Sequence, residues 1–181
     1  MDAQKKSWVY FERDEAERHA FLDQLKPVPE DERVYIDEAG VDDTLCHAYG
    51  WSLKGTRCYG ERLGHRTCRV SMAAALCQGQ VLAPLTFQGY CNSALIESWF
   101  EQQLCPVLRP GQVVILDNAS FHKSHKLHEL VEDVGCRLLF LPRYSPDLNK
   151  IEPLWNQKKH IIAHHRHLFP SFREAVDAAF L

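Results

Sequence analysis

The sequence predicts an α/β domain built on a mixed β-sheet with helices on both faces. Several strand-like runs separated by Gly-containing turns come first along the chain. Strand and helix patterns then alternate, which favours parallel pairing of the later strands in the same sheet. The later runs "VVIL" and "CRLLFL" are apolar without alternation, as expected of strands covered on both faces.

The composition is that of a globular protein of ordinary domain size. The chain has 181 residues, of which 45% are hydrophobic and 25% charged, so it can bury a core of its own. No apolar run approaches the roughly 20 residues of a membrane span, and the charged N-terminus lacks the apolar segment of a signal peptide. We therefore expect a cytoplasmic protein without membrane contact.

Charge and cysteine content narrow the function classes further. The formal net charge of −3 gives no general support for nucleic-acid binding, so any such surface would have to be a local patch. The seven cysteines are odd in number and contain no C-x-x-C pair, which argues against a disulfide framework and a zinc knuckle. We expect them to be small core residues in a reducing compartment.

The first element is a short charged helix over residues 11–25, with Phe21, Leu22 and Leu25 on its apolar side. The stretch "KPVPEDE" ends this helix and is the one plausible linker. We place a boundary near residue 30, which gives a short N-terminal segment, 1–30, and a main domain, 31–181.

The remaining elements follow in a clear order. Strands are expected at "RVYIDEAG", "HAYGWSLKG", "RTCRVSMAAALC" and "VLAPLTFQG". "NSALIESWFEQQLCPVL" predicts one helix with Asn92 or Ser93 as N-cap. After the strand "VVILD", "SFHKSHKLHELVEDVG" predicts a helix ended by Gly135. A strand at "CRLLFLP" and a helix after Asn149 come next, and Ser171 and Glu174 have capping-box spacing at the start of the last helix.

Tryptophans and histidines outside these patterns receive structural interpretations. We expect Trp99 to be a core residue, and Trp51 and Trp155 to be core or turn anchors. Six histidines cluster in two places, but without carboxylate or cysteine partners at zinc-ligand spacing.

Two of the predicted strands end in carboxylates, Asp37 after "VYI" and Asp117 after "VVIL". Neighbouring parallel strands would place these groups side by side, where they repel unless a divalent cation lies between them. Oxygen ligands select Mg²⁺ or Mn²⁺, and Glu152 could supply a third ligand. The residues alone leave other interpretations open, since either Asp can be a turn residue and Glu152 can form a capping box with Asn149.

Four motifs together resemble the DDE transposases of bacterial insertion sequences in the Tc/mariner superfamily. They are "YIDEAG", "GWSLKG", "ILDNASFHKS" and "LPRYSPDLNKIEPLW", which occur in the family's order and span about residues 33–160. The last two are the most specific, because they fix the second and third acids together. Positions 37 and 117 differ by 80, and 34 residues separate Asp117 from Glu152, similar to the family's short second spacing.

The resemblance implies an RNase H-like fold, a mixed five-stranded sheet flanked by helices. It implies that Asp37, Asp117 and Glu152 are the catalytic metal-binding triad for two Mg²⁺ ions, with Mn²⁺ able to substitute. The implied reaction is phosphodiester cleavage at transposon ends followed by strand transfer into target DNA. The implied partners are terminal inverted repeats, target DNA and a second copy of the chain in a homodimer, with the protein at the bacterial nucleoid when bound.

We expect this chain to be the catalytic half alone, without the family's N-terminal helix-turn-helix domain. An adjacent reading frame could supply that DNA-binding half. The alternative function is a non-catalytic, truncated product that binds a full-length transposase and regulates it. A host nuclease of the same fold is a third possibility, which the "SPDLN-IE" segment disfavours.

Two departures from the family add positive charge near the third acid. Lys150 and Arg143 stand where the family usually has proline. We expect both to contact DNA, together with His122 and the basic helix residues Lys158 and Lys159. For His122, which lies in the "DNASFH" motif, the alternative is a supporting role behind the metal ligands. A solvated helix face is the competing interpretation for the two lysines.

Overall fold

The computed structural model describes residues 10–46, 49–119 and 122–180. A single five-stranded sheet has the order β3-β2-β1-β4-β5. Its strands are β1 (Arg33–Asp42), β2 (Arg69–Cys77), β3 (Gln80–Phe87), β4 (Val113–Leu116) and β5 (Arg137–Phe140). The first three strands pair antiparallel, whereas β1 with β4 and β4 with β5 pair parallel. The predicted mixed sheet is confirmed.

Five α-helices accompany the sheet in the described part of the chain. They are α1 (Glu15–Leu25), α2 (Ser93–Trp99), α3 (His125–Asp133), α4 (Glu152–His165) and α5 (Phe172–Ala178). Side-chain caps begin four of them, at Asp14, Asn92, Ser124 and Ser171. Ser171 and Glu174 form the predicted capping box, and Gly135 closes α3 at a positive φ of 73°.

The helix predicted over residues 92–108 is not continuous. After α2 the chain runs through a π-helical turn, Phe100–Leu104, and then a 3₁₀ turn, Cys105–Val107. Pro106 lacks a backbone N–H and its ring clashes with the preceding turn, so a regular α-helix cannot continue through it. The wider turn still buries Phe100 and Leu104 completely.

Alternation along the strands divides the core into two layers, one on each face of the sheet. Tyr35 faces one layer, while Val34 and Ile36 face the other. The Tyr35 layer contains buried residues of α1, α4 and α5: Phe21, Trp155, Ile162 and Val176. The opposite layer contains buried residues of α2 and α3: Ile96, Trp99, Leu127 and Val131. Helices therefore cover both faces, as the sequence predicts.

Helix α1 packs on the sheet rather than standing apart from it. Phe21 and Leu25 are buried, but Leu22 is 42% exposed, so the predicted apolar side was wrong at that position. Arg18 also forms two hydrogen bonds, of 2.9 and 2.8 Å, with the carboxylate of Asp147. Part of the segment before residue 31 thus belongs to the same core as the strands.

The connection from β1 to β2 differs from its prediction. A strand was expected over 47–55; residues 47–48 lie outside the described part, and residues 49–55 form no strand. Since β1 already pairs with β2 and β4, a further strand here would have no free edge of β1 to join. Trp51 is fully exposed, so its expected role as an anchor was wrong. At the base of the loop, the carboxylate of Asp43 accepts hydrogen bonds from Thr67 and Cys68.

The cysteines are all free thiols, and Cys77, Cys105 and Cys136 are buried, while the others are partly or fully exposed. The described residues include no helix that is both long and apolar enough to cross a membrane.

Two leucines test whether the core of the α2–α3 layer determines stability. Replacing fully buried Leu104 by alanine should reduce the free energy of unfolding by about 2–5 kcal/mol, because it removes apolar contacts and leaves a cavity. The same change at Leu53, which is 81% exposed, should alter it by less than about 0.5 kcal/mol. Urea unfolding followed by circular dichroism measures both, and equal effects would contradict the described burial.

Candidate active site

A cleft of about 650 Å³ opens where β4 and β5 end and α4 begins. Asp37, Asp117 and Glu152, the three acids singled out by the sequence, all line it. Arg143 and Tyr144, from the loop between β5 and α4, complete part of its wall. The structure therefore brings the predicted acids to one place from three separate elements.

The register of two parallel strands aligns the two aspartates. Residues 33, 34 and 35 of β1 pair with residues 113, 114 and 115 of β4, a constant difference of 80. Positions 37 and 117 differ by the same 80, so the two acids stand at the same level across the sheet. Asp37 does not end its strand as predicted, because β1 runs on to Asp42 in its pairing with β2. The carboxylate instead emerges where β4 stops.

Asp37 is held in a partly buried, negatively charged environment. The indole Nε1 of Trp155 donates a hydrogen bond of 3.0 Å to its Oδ2. Burial, followed by the negative charges of Glu38 and Glu152, raises the pKa of Asp37 from its ordinary 3.8 to about 7. The crowding of carboxylates here is a cost that a bound cation would relieve.

Asp117 begins a turn rather than extending its strand. Its Oδ1 accepts hydrogen bonds from the backbone N–H of Ala119 at 3.0 Å and from Nδ1 of His122 at 2.7 Å. Burial alone would raise the pKa of Asp117, but these hydrogen bonds and the charge of His122 outweigh it and hold the pKa below its ordinary value. The side chain is half exposed, so it is both fixed and open to the cleft.

His122 is a buried link between two carboxylates. Its side chain is 1% exposed, and its Nε2 lies 2.9 Å from Oε1 of Glu38, opposite the contact with Asp117. Burial would lower the pKa of His122, but the two carboxylates outweigh it and raise the pKa to about 9. The expected DNA contact is corrected, since a ring without exposed surface cannot reach DNA.

Glu152 is the first residue of α4 and is exposed. The capping box with Asn149 was wrong: Ile151 precedes the helix without a side-chain cap, and the Nδ2 of Asn149 instead donates to the backbone oxygen of Ile36 at 3.3 Å. Asn149 is buried, and its Oδ1 has no hydrogen-bond partner. The Asn149 contact joins the start of α4 to β1, one residue before Asp37.

Within residues 10–46, 49–119 and 122–180, no three Asp, Glu, His or Cys side chains are arranged to hold a metal ion directly. The chemistry of the donors nevertheless suits a hard divalent cation, because the cleft presents carboxylate oxygens and lacks thiolates. Burial is the main cause of the raised pKa of Asp37, and the negative charges of Glu38 and Glu152, which a cation would offset, raise it further.

The other predicted DNA contacts are spread over the surface. Arg143 is exposed and lines the cleft. Lys150 is exposed but lines a different pocket, beside Arg33 at the start of β1. Lys158 donates to the backbone oxygen of Ala179 at 2.5 Å, and Lys159 is half-buried on the same helix.

Several residues of the site escaped the sequence analysis. Glu38 follows Asp37 directly, but nothing in the sequence indicated its contact with His122, 84 positions away. Tyr10 and Tyr144 line the cleft with ring centroids 5.7 Å apart. Tyr144 has a φ of 54°, a left-handed conformation that is uncommon for residues other than glycine and is frequent at functional sites.

Comparison with known proteins identifies the family of the chain and agrees with its fold. The family model described as "DDE superfamily endonuclease" matches residues 32–174, so the chain belongs to that family. A search of curated proteins gave no match.

Solved structures of Mos1 transposase share the fold. The Mos1 paired-end complex with the left transposon end matches with a TM-score of 0.72 and 17% identity, over 98% of this chain and 57% of that one. The catalytic domain of Mos1 mariner transposase matches with a TM-score of 0.60 and 16% identity, over 94% and 82%. The chain thus spans somewhat over half the length of the Mos1 transposase in the complex.

The environment of Asp37 predicts a pH dependence of stability in the metal-free protein. Between its ordinary pKa of 3.8 and about 7, the folded state keeps a proton that the unfolded state releases. The contribution of Asp37 to the free energy of unfolding therefore falls as pH rises through this range. Asp37→Asn cannot ionise, so it should gain stability relative to the wild type as pH rises from about 4 to about 7. Urea unfolding with EDTA measures this, and parallel pH profiles would contradict it.

Proposed function

We propose that this protein is the catalytic domain of a transposase, which cleaves phosphodiester bonds at transposon ends and transfers the cut strands into target DNA. The observation that carries the proposal is that Asp37, Asp117 and Glu152 line the same cleft. The family is one of endonucleases, and the matched Mos1 structure is a complex with a transposon end, which supports DNA as the substrate.

A divalent cation is the cofactor that we propose for this site. Asp37, Asp117 and Glu152 would hold it through carboxylate oxygens, and two Mg²⁺ ions, with Mn²⁺ as a substitute, are the proposed complement. Matched structures of Mos1 are described with Mg and with Mn, which supports this choice. Bound metal would supply Lewis-acid stabilisation of the attacking and leaving oxygens of the phosphoryl transfer.

The contribution of the protein would be to hold the carboxylates in fixed positions for the metal and to present a positive side chain to the phosphate. Trp155 restrains Asp37 through one oxygen, and His122 with Ala119 restrains Asp117 through one oxygen. Side chains held in this way need little reorganisation when the transition state forms. Arg143 adds a positive charge at the exposed wall of the cleft, where a DNA phosphate can approach.

The assembly around this domain is also proposed. We expect a homodimer on DNA, since the two ends of a transposon must be cut and joined together. We expect an N-terminal DNA-binding half, from an adjacent reading frame, to recognise the terminal repeats.

Substitution of the second acid tests the catalytic proposal. Asp117→Ala should abolish Mg²⁺- or Mn²⁺-dependent nicking of a labelled duplex carrying the element's own end, because it removes a ligand and the acceptor of the His122 hydrogen bond. Gel analysis should show a loss of at least about a hundredfold.

His125→Ala is the matched control for that experiment, because His125 is 88% exposed and pairs only with Glu129 on its own helix among the described contacts. Wild type that nicks DNA only after the upstream frame's product is added would show a split transposase. Wild type without metal-dependent nicking in either case would reject the catalytic proposal in favour of the regulatory product.

Arg143 tests DNA binding separately from cleavage. Arg143→Ala should weaken binding of the duplex in EDTA and reduce the slope of log K against log salt by about 1, because one phosphate contact is lost. Fluorescence anisotropy over a salt series measures both quantities. Lys126→Ala removes an exposed lysine paired with Glu101 and should leave the slope unchanged. Equal slopes for all three proteins would show that Arg143 lies outside the DNA path.

A further inference from the structure

Glu38, His122 and Asp117 form a chain of two hydrogen bonds between β1 and the end of β4. The bonds measure 2.9 and 2.7 Å and use both nitrogens of one imidazole ring. Since both nitrogens face carboxylate oxygens, the ring donates to both. We call Glu38 and His122 the brace, and Asp117 is the residue that the brace holds.

The brace lies beyond the last backbone pairing between the two strands. The pairing of β1 with β4 runs from Arg33–Val113 to Tyr35–Ile115, after which β1 continues with β2 as its partner. Asp37 and Asp117 therefore lie just past the described ladder between their strands. Glu38 directly follows Asp37 in the chain. The hydrogen bonds that link Glu38 through His122 to Asp117 therefore fix one aspartate relative to the other.

The surroundings make this tie stiff. His122 is 1% exposed and Glu38 is 15% exposed, so water competes little for either hydrogen bond. The imidazole ring is planar, which fixes the separation of its two donors. On Asp117, both described hydrogen bonds reach the same oxygen, Oδ1, so the carboxylate has a defined orientation towards the cleft.

We infer that Glu38 and His122 are positioning residues, which act through Asp117 to set where its free carboxylate oxygen lies relative to Asp37. Groups of this kind, which hold a ligand without touching the metal, affect metal affinity by about 10–100-fold when removed. The metal itself rests on the proposed function, whereas the contacts that orient Asp117 are features of the protein alone.

The competing explanation is that His122 is only a satisfied core histidine and Glu38 only its counter-charge. The two explanations predict different effects when Glu38 is replaced by a neutral residue. An amide oxygen still accepts the hydrogen bond from Nε2, so Glu38→Gln preserves positioning but removes the charge. Glu38→Ala removes both the acceptor and the charge.

The experiment measures Mn²⁺ affinity in the DNA-free protein by electron paramagnetic resonance of the free ion. Glu38→Ala and His122→Ala should each weaken Mn²⁺ binding by about tenfold or more, and the double variant by no more than the stronger single one, because both break the same chain. Glu38→Gln should stay within about threefold of wild type. The melting temperature in EDTA is recorded for every variant, as the measure of a purely structural effect.

Two exposed residues outside the cleft provide matched controls. Glu101→Ala removes an exposed carboxylate paired with Lys126, and His125→Ala removes an exposed histidine. Neither should change Mn²⁺ affinity. If His122→Ala does not fold, the comparison of Glu38→Ala with Glu38→Gln decides alone, because it leaves the buried ring in place.

Several outcomes would overturn the inference. Folded Glu38→Ala with wild-type Mn²⁺ affinity would show that Glu38 does not position the site. A Glu38→Gln variant as weak as Glu38→Ala would show that charge, rather than geometry, is what Glu38 supplies. Wild type that neither binds Mn²⁺ nor cleaves DNA would reject the proposed function together with the inference, whereas wild type that does both while the variants match it would reject the inference alone.

Discussion

The in-register parallel pairing of β1 with β4 is the constraint on which the rest of this structure depends. The two strands are separated by 80 positions along the chain, and their pairing keeps that difference constant. Two aspartates with the same separation therefore stand at the same level across the sheet. A shift of one residue in this register would move one carboxylate to the opposite face, so the core pattern of the strands also protects the site. The hydrogen bonds between β1 and β4 thus fix both the packing of the core and the placement of the two aspartates.

The pairing of β1 with β4 brings negatively charged side chains into one region, and neighbouring residues stabilise only part of that charge. Asp37 lies near Glu38 and Glu152 and is partly buried, which raises its pKa to about 7. The charge of Asp117, by contrast, is stabilised by protonated His122 and by the backbone N–H of Ala119. The two aspartates thus differ in their readiness to ionise although they line the same cleft. That asymmetry is a property of their contacts rather than of their positions in the sheet.

Contacts from distant parts of the chain hold the walls of the cleft. Asn149 joins the loop before α4 to the backbone of Ile36, and Arg18 of α1 holds Asp147 in the same loop. The sequence analysis placed helix α1 in a separate N-terminal segment. In the structure, α1 supports the loop that carries Glu152 to the cleft. The unpartnered Oδ1 of buried Asn149 is the one unsatisfied side-chain atom of this kind among the described residues.

Sequence patterns were enough to predict the mixed sheet, most of its strands and helices, the cap at Ser171, and Asn92 as one of two candidates for the cap of α2. The resemblance to the DDE transposases then singled out the three acids of the cleft. These follow from local signals, since hydrophobic period, turn residues and motif spacing lie within short stretches of chain. Three features required the folded structure: β1 continues past Asp37, Asn149 does not cap α4, and His122 is buried between Glu38 and Asp117. Each of those outcomes depends on a partner far away in sequence: β2 for the end of β1, Ile36 for Asn149, and Glu38 for His122. A side chain that could bond to several partners bonds to the one that the folded chain places next to it. The residues nearby in the sequence do not indicate which partner that is.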